Sequence, residues 1–258
     1  MTDAKQGRLA GKVAVITGGG HGFGESIARR FALEGAKVLI SDVSKPDGER
    51  VASSAPDAIS FLKADVTSAA DWDALFDAAA SRYGRVDVLV NNAGTTYKNK
   101  PTAEVTEAEF DRVFAVNVKG VFLGCKALMP RLIEQGDGGV VLNISSIGSV
   151  RPRPGLVWYN ASKGAVSNRD GTVSHPSLIH SLLLDFVCKR WSADDVDSFE
   201  SFAGVPDTPE NREKFLGNVP LGRLCESEDV ANVCLFLASD EGKFVTGINM
   251  EVDGGRAV

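Results

Sequence analysis

Tyr159 and Lys163 stand four residues apart in the run YNASKGAV (159–166), among small residues that tolerate a helix. At that spacing the phenol and the ammonium share one helical face. A phenol alone is a poor base, with an unperturbed pKa of about 10. A neighbouring ammonium favours the phenolate, which brings proton exchange with a substrate hydroxyl within reach of neutral pH. On spacing alone, a plain surface pair on a solvated helix is the commoner meaning of the same pattern.

A second stretch, VITGGGHGFGESIA (15–28), bears on phosphate rather than on protons. The GxGxxG template does not fit it; TGxxxGxG does, through Thr17, Gly18, Gly22 and Gly24. Glycines let a backbone turn sharply and approach a pyrophosphate, whose charge meets the unpaired amides of a helix start. Gly18, Gly20, His21, Gly22, Phe23 and Gly24 are therefore candidate cofactor-binding residues, with a ligand-free glycine turn as the bland alternative. Asp42 closes the next strand, 18 positions after Gly24, where such folds hold a ribose. Its carboxylate can accept both ribose hydroxyl protons and repels a 2′-phosphate. No Arg or Lys lies between Gly18 and Gly24 or directly after Asp42. NAD is thus favoured over NADP, unless Asp42 is only a solvated strand end.

The elements that must position these residues follow from alternation. Strands are expected at 12–17, 36–42, 58–65, 86–94 and 138–146. Helices are expected at 24–35, 46–54 and 69–84, with one long helix at 106–136. Thr106 and Glu109 form a capping-box pattern, and Pro130 is expected to kink that long helix. Strands apolar on both faces and separated by helices mean a doubly wound parallel sheet, α/β and Rossmann-like. Ligands then sit at the carboxyl ends of the strands. A chain of 258 residues fits one such domain.

A net charge of −6 without a basic run argues against nucleic acid or an anionic membrane as partner. The amino terminus has no apolar core, and no apolar run approaches the roughly 20 residues of a bilayer span. Cys125, Cys188, Cys225 and Cys234 lack metal spacing, so no metal is expected. They read as reduced, mostly buried thiols of a cytoplasmic protein.

Taken in order, TGGGHGFG (17–24), Asp65-Val66, NNAG (91–94), Asn117, Ser146, YNASK (159–163), VPLGRLCESEDVANVCLFLASD (219–240) and VTGINMEVDGG (245–255) resemble the short-chain dehydrogenase/reductase family. The likeness spans residues 9–168 and 205–255. It implies that Asp65 and Val66 hold an adenine, and that Asn91, Ala93 and Gly94 shape the cofactor pocket. It implies a catalytic set of Asn117, Ser146, Tyr159 and Lys163, the last two also touching the cofactor. Ser146 is chosen over Ser145 because it lies 13 residues before Tyr159, and Ser145 should face the other way. The implied activity is hydride transfer between NAD and a secondary alcohol or ketone, in a homodimer or homotetramer.

Residues 169–198 depart from the family. Gly171 and Pro176 should end the Tyr159 helix near Ser167. SLIHSLLLDFVCKRW (177–191) favours a new amphipathic helix over a replacement strand, and its sharp edges suggest a changed reading frame or a retained intron. Loss of the sixth strand would leave the sheet short of partners and the reactive half of the site disordered. An NAD-binding protein with impaired catalysis is therefore the alternative function, and a related epimerase or dehydratase ranks third.

Overall fold

β-branched and aliphatic runs alternate with amphipathic ones, and the computed structural model, which describes residues 7–168, 180–186 and 203–257, turns that alternation into one sheet. The strands are β1 (Val13–Thr17), β2 (Lys37–Asp42), β3 (Ile59–Lys63), β4 (Val88–Asn91), β5 (Val140–Ile144), β6 (His180–Phe186) and β7 (Ile248–Val252). The order is β3-β2-β1-β4-β5-β6-β7, all pairs being parallel. The order reverses between β1 and β4, which makes their carboxyl ends the crevice where such sheets take ligands.

The helices are α1 (Gly22–Leu33), α2 (Lys45–Ser53), α3 (Ala69–Tyr83), α4 (Glu107–Phe114), α5 (Gly120–Gln135), α6 (Val157–Ser167), α7 (Pro209–Leu216) and α8 (Ser227–Ala238). One face of the sheet is covered by α1 and α8, where Ile27, Phe31, Val230, Cys234 and Leu235 join Ala14, Ile16, Val38 and Ile40 in one apolar cluster. The other face carries α3 and α5, where Trp72, Leu75, Phe76, Leu128 and Leu132 pack on Val15, Leu39, Leu89 and Val141. Both faces are buried, which explains why β1 is apolar from Val13 to Ile16 rather than alternating.

The segment 177–191 corrects the sequence reading. Residues His180–Phe186 form a strand, not a helix, with Val140–Ile144 registered on His180–Leu184 and Leu182–Phe186 on Ile248–Val252. The remaining residues of the atypical block, and the proposed helix beyond Phe186, lie outside the described residues. A short leucine run satisfies a helical stripe and a doubly buried strand equally well. What decides is the slot between β5 and β7, whose backbone donors and acceptors need a partner on each side. The sheet has therefore not lost its sixth strand, and the impaired-catalysis alternative loses that premise.

The long helix also differs in detail. Thr106 caps α4 reciprocally with Glu109, as expected. The α pattern then gives way to a π segment, Ala115–Lys119, in which Gly120 N donates to Ala115 O, before α5 resumes with Pro130 inside it. The combined helix Glu107–Gln135 is long and apolar enough to cross a membrane by length and composition, contrary to expectation. Its apolar residues Leu123, Leu128 and Leu132 are spent on the sheet instead. The Tyr159 helix ends at Ser167, where the sequence placed its end.

Candidate active site

The glycine turn after β1 is built for close approach. Gly18 and Gly22 have φ of 62° and 57°, in the left-handed region that side chains avoid. A Cβ on Gly24 would lie 2.2 Å from Gly18 O, so only hydrogen fits there. His21, exposed, is the N-cap of α1 and makes no side-chain cap bond, leaving the helix-start amides directed outward. Phe23 packs on the first core and anchors the turn.

Asp42 reaches this turn from the tip of β2. Its Oδ2 accepts Gly20 N at 2.9 Å and its Oδ1 accepts Ser44 N at 2.9 Å. A carboxylate has about four acceptor positions, so capacity for hydroxyl donors remains. A Cβ on Gly20 would strike this carboxylate at 2.8 Å. The turn and the acid thus form one unit shaped for a ribose-phosphate. That cradle is the structural ground on which a dinucleotide fits here.

Several residues of this unit escaped sequence reading. Arg50 Nη2 donates to Gly20 O at 2.7 Å and pairs with Glu25 at 2.7 Å. That hydrogen bond to Arg50 is the main reason the Glu25 carboxyl lies below the usual range. Asn92 Nδ2 donates to Thr17 O and Gly18 O at 2.8 and 3.0 Å, tying β4 to the turn. Asn91, by contrast, sends its side chain to Asn143 at 2.8 Å and toward Gly124 of α5. The duplicated asparagine in NNAG was the signal, and the alternation of a strand assigns the two side chains to opposite faces.

Asp65 and Val66 follow β3. Asp65 Oδ1 accepts both the amide and the hydroxyl of Thr67, while Val66 O accepts Trp72 Nε1 at 2.9 Å. This turn is held by its own bonds at the carboxyl edge of the sheet, and Asp65 is exposed.

The residues with acid–base chemistry converge beyond β4 and β5. Lys163, almost fully buried, donates from Nζ to Ile144 O at 2.9 Å, and its Nζ lies 6.0 Å from the Tyr159 ring centroid. A Cβ on Gly94 would come within 3.4 Å of that Nζ and 3.5 Å of Asn117 Oδ1. Asn117 sits in the π segment. It accepts Thr95 N at 2.8 Å and donates to Thr95 O and Ser162 Oγ at 2.9 and 3.0 Å. Ser162 donates in turn to Tyr159 O at 2.7 Å. The loop after β4, the long helix and the Tyr159 helix are thereby joined through one amide.

Ser146 lies just past β5, its Oγ accepting Gly148 N at 3.2 Å. Ser145 turns to α6, donating to Lys163 O at 3.3 Å. The two serines do diverge. Tyr97, buried, accepts Trp158 N through its hydroxyl at 3.0 Å and so fixes the first turn of α6.

With this geometry, comparison with known proteins is informative. The family described as short chain dehydrogenase matches residues 12–174, and the one described as enoyl-(acyl carrier protein) reductase matches 197–257. The chain is 41% identical over 257 residues to a 4-formylbenzenesulfonate dehydrogenase of Comamonas testosteroni, covering 96% of this chain and 98% of that protein. It is 37% identical over 262 residues to an NADP-dependent (R)-specific alcohol dehydrogenase of Lentilactobacillus kefiri, covering 99% and 98%. A crystal structure of a 3-ketoacyl-(acyl-carrier-protein) reductase from Brucella melitensis complexed with NADH superposes with a TM-score of 0.85 at 40% identity, covering 97% of this chain and all of that one. Glycine turn, parallel sheet and full-length relatives agree: the chain belongs to the short-chain dehydrogenase/reductase family of nicotinamide-dependent oxidoreductases.

Proposed function

We propose that this protein is an NAD-dependent oxidoreductase interconverting a secondary alcohol and a ketone, with Tyr159 as the group that exchanges the proton. The observation that carries the reading is the Lys163 ammonium, buried beside the Tyr159 ring and next to Gly94. When bound, the nicotinamide supplies a hydride donor or acceptor at its C4. The pyrophosphate is held by the turn of Gly18, Gly20, His21, Gly22, Phe23 and Gly24. Asp42 takes the ribose hydroxyls, Asp65 and Val66 border the adenine, and the segment Asn91, Ala93 and Gly94 forms the floor. Lys163 favours the phenolate form of Tyr159 and steadies the ribose on the nicotinamide side. Ser146 Oγ orients the substrate oxygen. Asn117 lies where the π segment departs from regular i−4 pairing, which suits a main-chain carbonyl left for a proton-relaying water.

NAD is preferred because the Asp42 carboxylate occupies the site a 2′-phosphate would enter, and Arg50, which donates to Gly20 O, is engaged by Glu25. The NADH complex of the Brucella reductase supports this reading, whereas the alcohol dehydrogenase of Lentilactobacillus is NADP-dependent by name. One domain spans the chain. It assembles as a homodimer or homotetramer through α5 and α6, where Phe122, Ile133 and Val157 are 44%, 50% and 42% exposed. Cys125, Cys225 and Cys234 are not joined in disulfides, which suits the cytoplasm.

The test is fluorescence titration with NADH, followed by turnover of a panel of secondary alcohols and ketones. Tight NADH binding with turnover of at least one member is expected. Failure to bind either NADH or NADPH overturns the reading.

A further inference from the structure

The helix that carries Tyr159 starts without a cap of its own. Its N-cap is Leu156, a fully buried aliphatic residue at φ −121° and ψ 34°, which makes no side-chain cap bond. Leucine is among the poorest N-caps, a position that favours short polar side chains in extended backbone. Tyr159 is the third residue of α6, so it stands in the turn that frays when the first amides go unpaired. Lys163, one turn further on, takes its place from β5 through its bond to Ile144 O. The two members of the pair are anchored separately, and a loose first turn would move the phenol against a fixed ammonium.

What holds that turn comes from another element. The loop after β4 meets the entry to α6 at three points. Asn99 Nδ2 donates to Pro154 O at 2.9 Å, Lys100 N donates to Gly155 O at 3.1 Å, and the Tyr97 hydroxyl accepts Trp158 N at 3.0 Å. The last is the bond an N-cap side chain ordinarily makes to the second helical residue, supplied here by a phenol 61 positions away. The fit is steric as well. Gly155 has φ of 77°, and a Cβ on it would lie 1.9 Å from Asn99 Oδ1. Tyr97 is 1% exposed and packs with Val113, Leu156, Trp158 and Tyr159 itself, which keeps its hydroxyl from swinging out to water. The same loop begins at Gly94, and its Thr95 is bonded in both directions to the Asn117 amide. The segment beside Lys163 and the start of the reactive helix thus share one short stretch of backbone.

We propose that Tyr97 is a positioning residue for the reaction, a helix cap supplied from outside the helix that sets where the Tyr159 phenol stands relative to the Lys163 ammonium. Asn99 supports it by holding Pro154, two residues before Leu156. Tyr97 acts through Trp158 N, not on the substrate. Lys163 and Arg153, which bring charge to Tyr159, stay in place when the Tyr97 oxygen is removed. This inference rests on the proposed oxidoreductase reading.

The test is Tyr97→Phe, which deletes one oxygen and keeps the buried ring, assayed by NAD-dependent oxidation of a secondary alcohol that the wild type turns over. kcat should fall by about 2- to 30-fold, the factor to which loss of a helix cap corresponds, while NADH affinity by fluorescence stays within about twofold. The rising limb of the pH profile of kcat/KM should move up by about half a unit or more, since a phenol further from the ammonium loses its proton at higher pH. Asn99→Ala should move the limb the same way by less, and it decides the matter if Tyr97→Phe does not fold. An unmoved limb overturns the role, as does a fall in kcat matched by an equal loss of NADH affinity, which is the mark of general damage. If the wild type oxidises no alcohol and reduces no ketone, the oxidoreductase reading fails separately, and amide hydrogen exchange decides the cap. Faster exchange at residues 157–160 in Tyr97→Phe than in the wild type upholds it; equal exchange overturns it.

Discussion

Removing a single oxygen tests the proton-exchange role most directly. Tyr159→Phe keeps the ring against the Tyr97 and Leu156 cluster and leaves the Lys163 bond to Ile144 O in place. Turnover should fall by about 10²- to 10⁴-fold, the usual worth of a positioned acid or base, while NADH affinity by fluorescence stays within about twofold. Equal rates in the two proteins would take Tyr159 out of the mechanism. Asp42→Ala should raise NADPH affinity relative to NADH by about tenfold or more, read by parallel titrations. It also strips acceptors from Gly20 N and Ser44 N, at about 1 kcal/mol each, so a lower melting temperature should accompany the shift. At this scale the sequence singles out a residue wherever its type is itself the proposed chemistry, as with Tyr159, Lys163 and Asp42. It was silent on Asn92 and Arg50, whose roles come from neighbours distant along the chain rather than from their own spacing.

Elements differ in how much of themselves they declare. The glycine turn could be read in advance because its residue types are steric requirements. Gly24→Ala should abolish cofactor binding in the titration, since a Cβ there would meet Gly18 O at 2.2 Å. The α4 start was equally readable, and Thr106→Ala should lower stability by about 1 kcal/mol in urea unfolding. The same cap gives a pH signature. Glu109 is held at a pKa of about 2, below its ordinary 4.5, chiefly by the Lys100 ammonium and then by the Thr106 amide. A depressed carboxylate stabilises the fold above its unfolded pKa, and that contribution fades as pH falls from about 4.5 toward 2. Glu109→Gln should therefore flatten the stability profile in that window, and an unchanged profile would show the pair to be screened away. β6 was misread because a short leucine run carries no period that separates strand from helix. The π segment left no mark in composition at all; within it Asn117 bonds to Thr95 of the loop after β4 and to Ser162 of α6.

For the whole molecule, the doubly wound parallel sheet followed from alternation, whereas its strand order did not. Phe122→Glu combined with Val157→Glu should reduce the assembly toward the monomer mass in light scattering; retention of the wild-type mass would move the interface off α5 and α6. Burial also sets chemical reactivity. Cys234 is fully enclosed and its thiol is pushed up by burial, so in the native protein iodoacetamide should spare it and label it only on unfolding. The packing of α1 against α8 joins residues 22–33 to residues 227–238 across most of the chain. A growing polypeptide must therefore hold its first helix uncovered until nearly the last has been synthesised. During that interval Ile27 and Phe31 are bare to solvent and to any chaperone at the ribosome exit. Nascent chains stalled before residue 227 should accordingly be captured by such chaperones, and release should coincide with the emergence of the final helix.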